Sequence, residues 1–217
     1  MCVQFDSQDK TLRTASQRLL HAFLDSGDSE PVRVLSIGRQ RKNIDVLLLL
    51  LLQGRTIAVV VEDKISSVEH DDQLIRYREE AEELFIEQPS EIRVVYFKTG
   101  TVSERGRISP LCDKIMERDE ILDCLDVIPE NDASSPSVLT DFVDKLRQRC
   151  EQYDEYRAKP VKAWTDEAYC GFFERLQEVL ESRGYWTGYG IITTEMEGIG
   201  PSGSTMESLL VMALGSS

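Results

Sequence analysis

Three side chains able to handle phosphate chemistry stand at the ends of two apolar runs. Asp45 opens the run Ile44 to Leu52; Glu62 and Lys64 close the run that begins at Thr56, and Gln53, Gly54 and Arg55 lie between the runs. If the runs pair as an antiparallel hairpin, Asp45 and Glu62 come to the same end of the sheet, within reach of one cation. Period two then puts Glu62 and Lys64 on one face. Two carboxylates beside an apolar sheet are costly unless a positive charge compensates them. A hard dication suits them best: Mg²⁺ or Mn²⁺ accepts all-oxygen ligands, keeps several waters and leaves positions for phosphate oxygens. A lysine next to such an ion can orient or activate an attacking water and screen the charge developing on phosphorus. The implied chemistry is metal-assisted phosphodiester hydrolysis. Taken alone, an Asp-x16-Glu-x-Lys spacing also arises at ordinary strand ends.

The elements that must position these residues follow from periodicity. Leu12, Ala15, Leu19, Leu20 and Phe23 predict a helix over Gln8 to Asp25, and Val32 to Ile37 predicts a strand followed by a basic turn, Arg39 to Lys42. The two apolar runs predict paired strands buried on both faces; an uncut helix through both is disfavoured by Gly54 and by Val59, Val60 and Val61. Leu74, Tyr77, Ala81 and Leu84 predict a helix from Val68 to Glu87 with acids on its other face. On that helix Gln73 and Tyr77 share one side. Gln73 can hold a phosphate or a metal-bound water, and Tyr77 can line a substrate groove or pack in the core. Ile92 to Phe97 predicts a strand ended by Lys98, Thr99 and Gly100, and Asp113 to Val127 predicts a helix. Pro129 to Ser137 reads as a loop, with long helices following at Ser137 to Arg157 and Thr165 to Arg183 and a Gly- and aromatic-rich stretch from Gly184. The expectation is a mixed α/β core over residues 1–128 and a helical extension over 129–217, packed on the core.

Asn43-Ile44-Asp45-Val46-Leu47-Leu48, Ile57 to Ile65 with its Glu62-Asp63-Lys64, and Gln73-Leu74-Ile75-Arg76-Tyr77 together resemble the motifs of the PD-(D/E)XK nuclease superfamily, in order and in context. The resemblance runs over about residues 10 to 125. It implies a restriction-endonuclease-like core, a mixed central sheet flanked by helices. It also implies Asp45, Glu62 and the main-chain carbonyl of Asp63 as Mg²⁺ (or Mn²⁺) ligands, Lys64 as the water-orienting residue and Gln73 as the helix residue of the site. The implied substrate is DNA, with RNA as the other option. Two departures stand out: Ile44 occupies the place of the superfamily's proline, and the first helix carries His21 where related branches carry an acid. His21 is read as structural or as a further ligand, and His70 as a solvated helix-start residue.

Composition sets the remaining bounds. With 25 basic and 39 acidic side chains the net charge is −14, which excludes a uniformly basic nucleic-acid glove. The charge is unevenly spread: residues 1–61 hold 8 basic and 6 acidic groups, whereas residues 62–91 hold 3 and 11. Arg39, Arg41 and Lys42 can therefore touch the phosphate backbone of a substrate, or simply form an exposed turn. The 5 cysteines are odd in number with no Cys-x-x-Cys pair, so neither a disulfide framework nor a zinc site is expected. No apolar run approaches the roughly 20 residues of a membrane helix, and the first residues lack a signal-peptide pattern. A cytoplasmic protein with no membrane association is expected, with a homo-oligomer or protein partner possible in principle. Besides the nuclease, the competing readings are a catalytically silent nuclease fold used as a nucleic-acid or protein binding module, and an effector of defence or a mobile element that a partner activates.

Overall fold

In the computed structural model, the runs on either side of Gly54 form a tight hairpin. Gln53 and Gly54 both take positive φ, 51° and 75°, as a two-residue turn matched to the twist of paired strands requires, and a glycine meets that demand without strain. The structure describes residues 9–27, 30–42, 44–64, 73–85, 89–100, 105–129 and 137–182. In chain order these form α1 (Lys10–Leu24), β1 (Arg33–Arg41), β2 (Ile44–Leu52), β3 (Arg55–Lys64), α2 (Gln73–Leu84), β4 (Glu91–Lys98), the short α3 (Arg105–Ile108), β5 (Lys114–Glu117), α4 (Arg118–Leu125), α5 (Ser137–Asp154) and α6 (Asp166–Ser182). They divide into two compact units, residues 1–151 and 152–217.

The first unit is built on one five-stranded sheet in the order β1-β2-β3-β4-β5. The first three strands form an antiparallel meander, and β3, β4 and β5 run parallel. This is the mixed sheet flanked by helices of a restriction-endonuclease-like α/β fold. Each face of the sheet has its own core. On one, α1, α4 and the first part of α5 cover Leu48, Leu50, Val59, Val61 and Val95. On the other, Leu74, Tyr77 and Ala81 of α2 and Ile108 of α3 cover Leu47, Val60, Val94 and Tyr96. Val143 and Leu146 of α5 lie in the first of these cores, so the core unit extends past residue 128.

Asp9 caps α1, its carboxylate accepting from the amides of Thr11 (2.7 Å) and Leu12 (3.3 Å). Asp25 ends the helix in the left-handed region, φ 47°. There Arg93 of β4 (2.6 Å) and Lys114 of β5 (3.0 Å) both bridge to the Asp25 carboxylate.

Two elements differ from expectation. β1 continues through Arg41 rather than turning at Arg39, because Arg39 pairs with Val46 and Arg41 with Ile44; Lys42 follows with φ 48°, and Asn43 lies outside the described residues. Residues 114–117, expected as the start of a helix, form β5 instead. The open edge of β4 takes them up, Val95 facing Lys114 and Lys98 facing Glu117, and Met116 is fully buried. Four residues are too few for a period of two to separate from one turn of helix. The helix expected from Val68 is described from Gln73 to Leu84, and residues 65–72, with His70, lie outside the described residues, as do 130–136 of the expected loop.

In the second unit the rings of Tyr156, Trp164, Tyr169, Phe172 and Phe173 pack edge to face, with Trp164–Tyr169 centroids 5.1 Å apart. Trp164 also donates to the Lys159 carbonyl (2.7 Å). Gly171 lets α6 approach closely, since a Cβ there would stand 2.2 Å from the carbonyl oxygen of Tyr153. Trp186 and the stretch from Gly184 lie outside the described residues. Among the described residues no helix is long and apolar enough to cross a membrane.

Candidate active site

The register of the central hairpin assembles the site. Val46 faces Val61, and the ladder runs from there to the turn; just beyond its end Asp45 lies near enough to Glu62 for its charge to act on it, and by period two Glu62 shares the α2 side of the sheet with Val60. Asp45 Oδ2 accepts from the main-chain amide of Asp63 (3.1 Å). Within a strand, a residue's N–H and C=O point to the same side and the next residue's to the other. The Asp63 carbonyl is thus turned toward β2 and Asp45, while that of Lys64 points the other way and accepts from Thr99 (3.3 Å).

Glu62 is the most deeply buried acid of the site, 1% exposed. One of its oxygens, Oε1, meets Lys64 Nζ at 2.7 Å; the other, Oε2, is buried without a hydrogen-bond partner. Burial pushes the Glu62 carboxyl up, Lys64 pulls it down and the charge of Asp45 pushes it up again, which together hold it at about 7. Lys64 Nζ also donates to Gln73 Oε1 (3.2 Å), and Gln73 Nε2 donates to the Tyr77 hydroxyl. A hydrogen-bonded chain therefore runs from Tyr77 through Gln73 and Lys64 to Glu62. The first turn of α2 supplies Gln73 and Tyr77 to this chain because the apolar side of the helix, Leu74 and Ala81, is fixed on β3 and β4. Tyr77 is 2% exposed; it packs in the core and holds Gln73 rather than lining a groove.

Of the residues singled out in the sequence, Asp45, Glu62, Lys64, Gln73 and Tyr77 come together, with the Asp63 main chain beside them. The basic cluster does not join them. Arg39 faces Val46, whose side chain packs with the α1-side core, so Arg39 stands on the face away from Glu62. Lys42 bridges to Glu83 of α2 at 2.6 Å. The side chain of Arg41 lies outside the described residues. His21 is also remote: it is buried on α1, across the sheet from Glu62, with Nδ1 2.8 Å from Ser26 Oγ. The four described cysteines form no disulfide with one another, and burial pushes the Cys112 and Cys124 thiols up to about 11, well away from nucleophilic use at neutral pH. Sequence reasoning passed over Lys98, which the register sets beside Lys64. A lysine closing an apolar strand before Thr-Gly was the available signal; that its strand neighbours β3 was not written in it.

The donor set is all oxygen. Among the described residues no group of three or more His, Cys, Asp and Glu side chains that could hold a metal comes together; two carboxylates, those of Asp45 and Glu62, interact instead. An unbonded buried carboxylate oxygen near a second carboxylate is what a hard dication satisfies, so the residues fit one.

A mixed five-stranded sheet flanked by helices is the architecture of a restriction-endonuclease-like α/β fold. Residues 28–114, from just ahead of β1 to the first residue of β5, match the family model of the PD-(D/E)XK nuclease superfamily. Its members are typically nucleases and usually use divalent metals. No curated protein and no solved structure matches the chain.

Proposed function

We propose that this protein is a Mg²⁺-dependent nuclease, with Mn²⁺ able to substitute, that hydrolyses phosphodiester bonds in DNA. The observation that carries the reading is Glu62: buried, close to Asp45, with one oxygen on Lys64 and the other unbonded. Asp45, Glu62 and the Asp63 carbonyl would hold the dication, which supplies Lewis-acid polarisation of the phosphate and a more acidic bound water. Lys64 is held by Glu62 and Gln73 with a donor to spare, since an ammonium has three hydrogens; that donor orients the attacking water and screens charge on phosphorus. In the reaction the water gives up a proton to solvent as its oxygen forms the new bond to phosphorus, the bond to the leaving sugar oxygen breaks, and that oxygen takes a proton from solvent. Tyr77 acts on this chemistry by holding Gln73.

The test is cleavage of plasmid and linear DNA by the full chain with Mg²⁺, Mn²⁺ or chelator, beside Asp45→Asn, Glu62→Gln and Lys64→Met, and with Mn²⁺ binding measured separately by calorimetry. Metal-dependent cutting is expected in the wild type and in none of the variants, with Mn²⁺ binding lost in Asp45→Asn and Glu62→Gln but kept in Lys64→Met. Equal cutting by wild type and Lys64→Met would sink the mechanism. A wild type that binds DNA without cutting it under either ion would favour the silent binding module, for which the −14 net charge already sets a barrier to non-specific affinity.

A further inference from the structure

The parallel half of the sheet brings a second lysine to the same place. Lys64 faces Lys98, and Lys98 faces Glu117, so β3, β4 and β5 end in one row: Lys64, Lys98, Glu117. Two residues earlier in the register, Glu62 faces Tyr96. Tyr96 and Val94 pack in the α2-side core with Val60, so by period two Lys98 shares the face of Glu62 and Lys64. The spacing between paired strands is about 4.8 Å. Lys98 is 3% exposed and has bonding partners within the fold; what sets it apart is where it stands. The carboxyl ends of parallel strands are, besides, where open α/β sheets place their ligands.

We propose that Lys98 is the second cation of the substrate site: together with Lys64 it attracts and positions a phosphate of a polynucleotide backbone over the Asp45–Glu62 pair. This rests on the nuclease reading for the substrate class, and it deepens that reading by making the phosphate seat a two-lysine device spanning β3 and β4. A fixed positive charge in a site of low dielectric acts strongly on an anion without having to reorganise. Lys98 is a positioning residue here, and its charge is the property that matters.

The experiment measures binding of a short fluorescein-labelled DNA duplex to the full chain by anisotropy over a range of salt, with Ca²⁺ replacing Mg²⁺, for wild type, Lys98→Met and Lys98→Arg. Circular dichroism melts accompany each protein. Lys98→Met should bind about tenfold more weakly, with the slope of log affinity against log salt reduced by about 1, and Lys98→Arg should restore both. Folded Lys98→Met with wild-type affinity and slope overturns the proposal, as does equal impairment in Lys98→Arg with an unchanged slope, which would mark Lys98 as structural. If Lys98→Met does not fold, Lys98→Gln against Lys98→Arg makes the same comparison. A wild type that binds but never cuts, with binding lost in Lys98→Met, supports Lys98 and ends the nuclease reading. A wild type that cuts, with Lys98→Met unchanged in binding and in kcat/KM, ends the role of Lys98 alone.

Discussion

The two faces of β3 carry the same burial and opposite chemistry. Val59 and Val61 point into the α1-side core, among Leu, Ile, Phe and Met side chains. Val60, Glu62 and Lys64 point to the α2 side, where the same buried strand ends in an ion pair joined to a hydrogen-bonded chain. A face packed on both strands and helices gains stability from every side chain it hides, about 1.5–3 kcal/mol for a Val or Leu. The other face gives up some of that gain at its end, where a buried carboxylate keeps an unbonded oxygen. The lesson is that stability and chemistry are separated across the thickness of one sheet, and substitutions on the two faces should fail in different ways.

The largest effect belongs to the charged end. Asp45→Asn or Lys64→Met should reduce the rate of DNA cleavage by at least about a hundredfold while the protein remains folded, measured as initial rates beside a melting curve. Loss of cleavage that only tracked loss of fold would erase the distinction between the faces.

Next comes the apolar face. Leu20 of α1 is 2% exposed, and Leu20→Ala should cost roughly 2–5 kcal/mol in urea unfolding, yet leave kcat/KM per folded molecule unchanged. A variant equally stable but slower would show the α1 side taking part in the chemistry.

Glu62→Gln sharpens the contrast, because it should abolish cleavage and stabilise the metal-free fold. The folded carboxyl is raised to about 7 from an ordinary value near 4.5. A carboxyl raised on folding lends its stability below the unfolded value and loses it as pH climbs through the folded one. At pH 8 the metal-free wild type therefore bears the cost of the charge, and Glu62→Gln should melt roughly 5 °C higher there, the gap closing toward pH 5. Equal melting at both pH values would mean that Glu62 is compensated within the fold.

The smallest effect is expected at the surface knot on α1. Burial raises the Asp25 carboxyl, but Lys114 and Arg93 outweigh it and hold the group below its usual range. Its contribution is present above the unfolded value, near 3.8, and fades as pH falls through the lowered folded value. Asp25 is nearly half exposed, so Asp25→Asn should lower Tm by only about 1–3 °C at pH 7, with the difference vanishing in acid and with cleavage unaffected.

Much of the fold was legible because its signals are local. Gly54 and the flanking Val, Ile and Leu runs specify a hairpin that brings Asp45 and Glu62 to the same end of the sheet; the exact register was set by Arg55 joining the strand opposite Leu52 rather than the turn. Gln73 and Tyr77 one helical turn apart were likewise readable. What stayed hidden was pairing between segments distant in the chain. β5 exists because β4 offers it an edge, Lys98 joins the site because β4 neighbours β3, and Arg39 leaves it because β1 continues as a strand opposite Val46. Side-chain partners were hidden for the same reason: Lys42 reaches Glu83, 41 residues away in the chain, and His21 settles on Ser26.

By itself, then, the sequence determined which residues could do chemistry and that Asp45 and Glu62 would lie at the same end of one hairpin, because an antiparallel pair joined at Gly54 leaves them no other end. Only the tertiary structure decided what surrounds that pair. Strand order and helix packing choose which side chains are buried beside it, and burial is what turns Glu62 from an ordinary surface acid into one held near neutrality with an oxygen left unbonded.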